Sequence, residues 1–187
     1  MARIKFGISN VKYAIATEGE GGVLTYGAVT DLKGAVALTL DTAGDEVREY
    51  ADNIVWYAQV VNQGYTGTLE LEELPDSFRT AVLGDTVDTN GALWENADAE
   101  SKEFALLFQF EIGGDDNVTG KRGCLLRCTA SRPSANMQTK EATITPNHDT
   151  LNITAMPRVS DHYVKASCES DADAYATWFS AVPTFGE

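Results

Sequence analysis

Three cysteines, two histidines and several close carboxylate pairs are the residues of this chain with the chemistry to cut, transfer or bind. Cys124 and Cys128 stand four apart in "CLLRC", and Cys168 stands alone. On an extended strand that spacing puts Cys124 and Cys128 on one face. With His148 ("PNHDT") or His162 ("SDHYV") they would supply the sulfur and nitrogen donors of a zinc site. The spacing is not that of a metal knuckle, and a buried cysteine ordinarily serves as a small hydrophobe. An odd thiol count also fits a reducing compartment better than a disulfide framework.

Nucleophilic catalysis is no better provided for. Both histidines sit in polar, turn-like settings, and the chain has neither a GxSxG elbow nor a Cys–His signature. Carboxylate pairs such as Glu70/Glu72 and Asp115/Asp116 fall on a solvent face or a turn, where solvation explains them. "DTAGDEVREYAD" (41–52) and "GGDDNVTG" (113–120) are rich in oxygen donors but lack the alternating ligands and closing glutamate of an EF-hand loop. "GEGG" (19–22) is followed by no helix and no Lys-Ser/Thr pair, so it reads as a flexible turn rather than a phosphate cradle. No catalytic residue, cofactor or metal is expected.

The elements that would position such groups follow a period of two. "GAVALTLD" sets Val36, Leu38 and Leu40 against Ala37, Thr39 and Asp41, and "TGTLELEEL" sets Leu69 and Leu71 against Thr68, Glu70 and Glu72. In "EFALLFQFEI", Phe104, Leu106, Phe108 and Phe110 share one face and Ala105, Leu107 and Gln109 the other. "TLNITAM" sets Leu151, Ile153 and Ala155 against Asn152 and Thr154. Further extended runs are expected at 4–16, 54–61, 123–130 and 163–167. Turns are expected at "NQGYTG" (62–67), "TNG" (89–91), "GGDDNVTGKRG" (113–123, an exposed hairpin tip) and "RPS" (132–134). Two helices stand out. "PDSFRTAVLG" has proline at its start, glycine at its end and Phe78 and Val82 four apart. "DADAYATWF" aligns Tyr175 with Phe179, or Ala174 with Trp178. The expected fold is mostly β, with one or two short packed α-helices, in one domain over residues 1–187.

The 187 residues carry 28 acidic against 14 basic side chains, a net charge of −14, with 43% apolar and 22% charged residues. That is the composition of a globular chain with a substantial core. It argues against a face that grips nucleic acid or an anionic membrane, which needs clustered Lys and Arg. No apolar run reaches the roughly 18 residues of a transmembrane helix, and the start lacks the apolar core of a secretion signal. Synthesis and folding in the cytoplasm are therefore expected.

Several segments carry a resemblance: "ARIKFGISNVKYA", "YADNIVWYAQVVNQGYTGTLELEELPDSFRTAVLG", "NGALWENADAESKEFALLFQFE", "CTASRP" and "TKEATITPNHDTLNITAMPR". In this order the chain resembles the phi13-type major tail proteins of long, non-contractile-tailed bacteriophages, the central block being the specific part. "TEGEGGVLTYG" and the last dozen residues carry no part of it. The resemblance implies a β-sandwich or barrel-like tail tube fold with a flanking helix. It further implies six-membered rings stacked into a virion tube that conducts DNA from capsid to host, with N- and C-terminal arms helping to grip the next ring. Implied partners are a tape-measure protein in the lumen and terminator and distal tip proteins at the ends. DNA would pass without specific binding, repelled by a strongly anionic ring.

On that reading the polar segment 42–53, long for a hairpin loop, is expected to reach the adjacent ring. Its candidate contacts are Glu46, Arg48, Glu49, Tyr50 and Asp52. Trp56 and Tyr57, on opposite faces of the following strand, are expected to serve one the core and the other a subunit interface. Competing readings are a β-sandwich binding or decoration module, which would stay monomeric or close into a small oligomer, and a related secretion-system tube protein.

Overall fold

The computed structural model describes residues 3–114, 118–135, 137–139 and 146–186. In chain order its strands are β1 (Ile4–Glu18), β2 (Leu24–Tyr26), β3 (Thr30–Asp31), β4 (Ala35–Ala43), β5 (Glu46–Ala51), β6 (Ile54–Val60) and β7 (Gly64–Leu71). A helical segment follows: an α-helical turn (α1, Asp76–Phe78) that continues as a π-helical turn (Arg79–Leu83). Then come β8 (Thr86–Val87), β9 (Leu93–Trp94), β10 (Phe104–Gly113), β11 (Val118–Ala130), β12 (Asp149–Ala155) and β13 (Lys165–Glu169). The fold is mostly β.

Nine strands make one antiparallel sheet in the order β2-β1-β10-β11-β12-β7-β4, with β13 beside β11 and β3 beside β1. The sheet rolls until β1, which carries the short strands β2 and β3, touches the edge strand β4 at the other end. Phe104, Leu106 and Phe108 point inward with Leu69, Leu71, Leu125, Leu151 and Ile153, and the helical segment plugs this interior with Phe78 of α1 and Val82 and Leu83 of the π-helical turn. Phe78 meets Tyr13 and Phe104 edge to face at ring distances of 4.9 and 5.5 Å, the favoured geometry for aromatic quadrupoles. Gly84, at φ 82°, ends the helical segment as its position in the sequence predicts.

A second core lies on the opposite face of β1, β10 and β11. There Ala14, Ala105, Leu107, Cys124 and Leu126 are covered by Trp178 and Val182 of the C-terminal segment. Both faces of β10 are therefore buried, which accounts for its apolar residues at odd and even positions alike.

Several expectations need correction. Cys124 and Cys128 do not share a face: a register shift in the β10–β11 ladder puts Cys124 in the second core and Cys128 in the first. A bulge of one extra residue reverses the alternation beyond it. A shift between Ala35 and Ala37 likewise turns Val36 outward, 41% exposed, away from Leu38 and Leu40. The second helix shrinks to a single 3-10 turn, Asp173–Tyr175, within a chain of i→i+3 turns. The Arg122 guanidinium lies 3.9 Å from the Tyr175 ring centre and 4.5 Å from that of Phe179, and it donates to the Tyr175 carbonyl that a continuing helix would use.

The glycines of "NQGYTG" make no turn. A Cβ on Gly64 would stand 1.9 Å from the Ala155 carbonyl oxygen, and one on Gly67 1.9 Å from that of Thr39; they are places where backbones approach closely. The supposed tip at 113–123 is largely ladder, since Gly120, Lys121, Arg122 and Gly123 pair with β10. Asp115 and Asp116 lie outside the described residues.

Candidate assembly surface

The segment 42–53 is not a loop. Strand β5 occupies Glu46–Ala51 and pairs antiparallel with β6, from Glu46 opposite Val60 to Ala51 opposite Ile54. The β4–β7 ladder is joined to this pair across a one-residue irregularity, two residues (44–45) facing three (61–63), where Gln63 donates to the Ala43 carbonyl and Val61 to that of Asp45. Residues 35–71 thus form one long ribbon whose outer half leaves the sheet. The reversal comes at Asp52 and Asn53, with φ of 51° and 62°, the two left-handed residues of a type I′ hairpin turn. Short polar side chains tolerate that backbone, so a charged, loop-like sequence still makes a tight hairpin.

Every residue from Gly44 to Gln63 is exposed. Glu46, Arg48, Ala58 and Val60 form one face of the hairpin; Val47, Glu49, Tyr57 and Gln59 form the other. On the first face Arg48 pairs with Glu46, and its pKa is raised by the Glu46 carboxylate and the Tyr50 hydroxyl. On the second the Tyr57 hydroxyl donates to Gln59 Oε1. A register shift between Glu49 and Tyr50 leaves Trp56 as the unpaired extra residue, 71% exposed. Neither Trp56 nor Tyr57 enters the core, contrary to expectation, because β6 has left the body of the sheet before either is reached.

The expected residues Glu46, Arg48, Glu49, Tyr50 and Asp52 thus come together with Trp56 and Tyr57 on one projecting element. The sequence reading passed over Val47, Ile54, Val55 and Val60, which are 47% to 74% exposed. Their signal was present: a β-branched run, "NIVWYAQVV", with apolar residues at both parities and nothing on the chain to bury both. An apolar hairpin open on both faces is unusual for an isolated monomer and marks an interaction surface.

The potential chemical groups are dispersed. Cys124, Cys128 and Cys168 are buried free thiols, and burial pushes the pKa of all three up. Among the described residues no group of three His, Cys, Asp or Glu could hold a metal ion, and no helix is long and apolar enough to cross a membrane.

Residues 2–187, all but the first, match the phage tail tube protein family. The chain belongs to that family. It is a structural tail protein, a component of the virion that assembles with itself and with other tail components into a tube. No curated protein matches the chain.

Proposed function

We propose that this tail tube protein forms hexameric rings that stack into the conduit for DNA leaving the capsid, and that the 44–63 hairpin joins one ring to the next. Glu46, Arg48, Glu49, Tyr50 and Asp52, with Trp56 and Tyr57, make the contact. The observation that carries this reading is a twenty-residue hairpin exposed on both faces, in a family whose members build tubes. A protrusion that meets a different surface on the next copy makes a heterologous contact, and such contacts propagate. A tape-measure protein fills the lumen during assembly, and terminator and distal tail proteins close its ends. The chain is one domain over 1–187, and its termini are arms that help grip the next ring. It is made in the host cytoplasm, and DNA passes the anionic tube without specific binding.

The test is negative-stain electron microscopy of the purified protein across a concentration series, beside a variant in which Asn-Gly replaces 44–63. That two-residue loop closes the Ala43–Gly64 pair as a standard hairpin, so the sheet is retained. The expected outcome is stacked six-fold rings or hollow tubes for the full chain and none for the variant. Tubes from the shortened protein would overturn the role of the hairpin.

A further inference from the structure

The rolled sheet does not close. Among the described residues no ladder joins β1 to β4, although they are in contact. Between Lys5–Ile8 of β1 and Val36–Leu40 of β4 lies an open cleft of about 500 Å³, floored by Tyr65, Phe108 and Phe110. That volume suits a bound group of drug-like size. At its rim, Phe6 and Val36 are 44% and 41% exposed.

Its charge runs against that of the chain. Lys5 Nζ stands 5.8 Å from the Phe110 ring centre and Lys165 Nζ 5.3 Å from that of Tyr65. Among the described residues neither lysine has a carboxylate within ion-pair distance, whereas neighbouring Lys121 is paired with Glu169. The pKa of Lys165 is pushed down by burial and by the like charges of Lys5 and Lys121. An apolar cleft with two unpaired cations on its rim is thus set in a protein of net charge −14.

The hairpin has the complementary composition. It carries Asp45, Glu46, Glu49 and Asp52 against Arg48 alone, with Trp56 at its outer end. We propose that the β1/β4 cleft receives the β5–β6 hairpin of a second copy, with Trp56 entering the cleft and the hairpin's carboxylates facing Lys5 and Lys165. The inference rests on the hairpin being the assembly element. The hairpin of the same copy is badly placed for the role: its tip lies about fourteen residues beyond Leu38 along an extended ribbon, roughly 45 Å at the rise of a β-strand. A tryptophan buried at the centre of a contact and charges across its rim are the parts expected of an anchored interface.

Disulfide trapping tests the pairing. Full-length Val55→Cys, which keeps the Trp56 anchor, and Val36→Cys proteins are mixed and oxidised, with Val55→Cys plus Val118→Cys as control. All three substituted positions are exposed, and the native cysteines are buried. The expected result is a cross-linked dimer from the first mixture at no less than about tenfold the yield of the control, a difference of the size that rim charges and an anchor produce. Lys5→Glu with Lys165→Glu lowers that yield, and Glu49→Lys with Asp52→Lys in the partner restores it. Equal yields in the two mixtures, or no cross-link in either, overturn the proposal. If the full chain makes tubes and the hairpin-shortened one does not, yet Val55→Cys fails to link to Val36→Cys, the cleft is wrong and the hairpin stands. If the shortened protein makes tubes, the hairpin reading falls and takes the cleft with it.

Discussion

The two halves of the 35–71 ribbon have the same backbone and opposite fates. In the inner half, β4 against β7, the alternation resolves into an inside and an outside: Leu69 and Leu71 are fully buried while Thr39 and Asp41 face solvent. In the outer half, β5 against β6, the ladder continues but both faces are open. Side-chain burial in the inner half stabilises the monomer. In the outer half Val47, Val55, Trp56 and Val60 contribute almost nothing of that kind, so their apolar character has to be explained by contacts outside the monomer.

The largest expected effect sets Phe78 against Trp56. Phe78 is fully buried at the centre of the inner core, and Phe78→Ala is expected to lower unfolding free energy by about 3–5 kcal/mol. Trp56→Ala is expected to leave it within about 0.5 kcal/mol, while weakening self-association by about 2 kcal/mol as an interface anchor does. Urea unfolding of each variant and sedimentation of each mixture read the two quantities separately. A Trp56→Ala protein that unfolds as early as Phe78→Ala would break the comparison.

Two glycines at the junction sharpen it. A Cβ on Gly64, at φ 107°, would stand 1.9 Å from the Ala155 carbonyl oxygen of β12; one on Gly44, at φ 138°, would stand 1.8 Å from that of Val61. Both positions forbid an L side chain without movement. Gly64→Ala strains the body of the sheet and is expected to cost more than about 1 kcal/mol of global stability. Gly44→Ala strains only the base of the hairpin, which opens locally. Its melting temperature is expected to stay near that of the parent, with faster amide exchange at Val61 and Gln63 and loss of tubes.

Thiol labelling compares the regions on one scale. Cys124 and Cys128 are fully buried, and burial holds their thiols protonated, so they react only when the body opens. A Val55→Cys thiol on the hairpin is expected to react on the order of a thousandfold faster or more, the ratio set by a body stable by several kcal/mol. Comparable rates measured with a colorimetric disulfide reagent would mean that the body is far looser than its packing implies.

Most of the sheet was legible in the sequence because alternation is a local signal. Leu69 and Leu71, Leu151 and Ile153, and Phe104 and Leu106 face the core as their spacing requires. The Pro75-to-Gly84 helix was legible for the same reason, its end residues being set by backbone geometry. Three things were not. Bulges displaced Val36 and Cys124 because a one-residue shift depends on the partner strand. The helix expected over "DADAYATWF" (171–179) gives way to i→i+3 turns where Arg122, 53 residues away in sequence, donates to the Tyr175 carbonyl. The hairpin passed for a loop because "TAGDEVREYADN" is polar, and its turn uses Asp52-Asn53 where Gly64 and Gly67 looked like the punctuation. The residues expected to face the next ring share one exposed element, but it is a paired hairpin rather than a loop.

The smallest expected effect comes from acid. Asp31 beside Lys12, and Glu169 beside Arg3 and Lys121, have their pKa values lowered by those hydrogen-bonded cations. At Asp161 burial works the other way, but the Arg158 guanidinium outweighs it and the net shift is also downward. All three sit on the body of the sheet or its connections, outside the hairpin. A carboxylate whose folded pKa is depressed adds stability that is fully present above its unfolded pKa, about 4, and is lost as pH falls through the folded value. The melting temperature is therefore expected to be flat from pH 7 to about 5 on account of these groups and to decline below about 4. Asp31→Asn and Glu169→Gln should each make that decline shallower, slightly, because both carboxylates are solvent-accessible and screened. If the same substitutions changed tube formation at pH 7 while leaving the acid limb of the melting curve untouched, those ion pairs would belong to the assembly surface, and the division between a body that folds and a hairpin that joins would have to be redrawn.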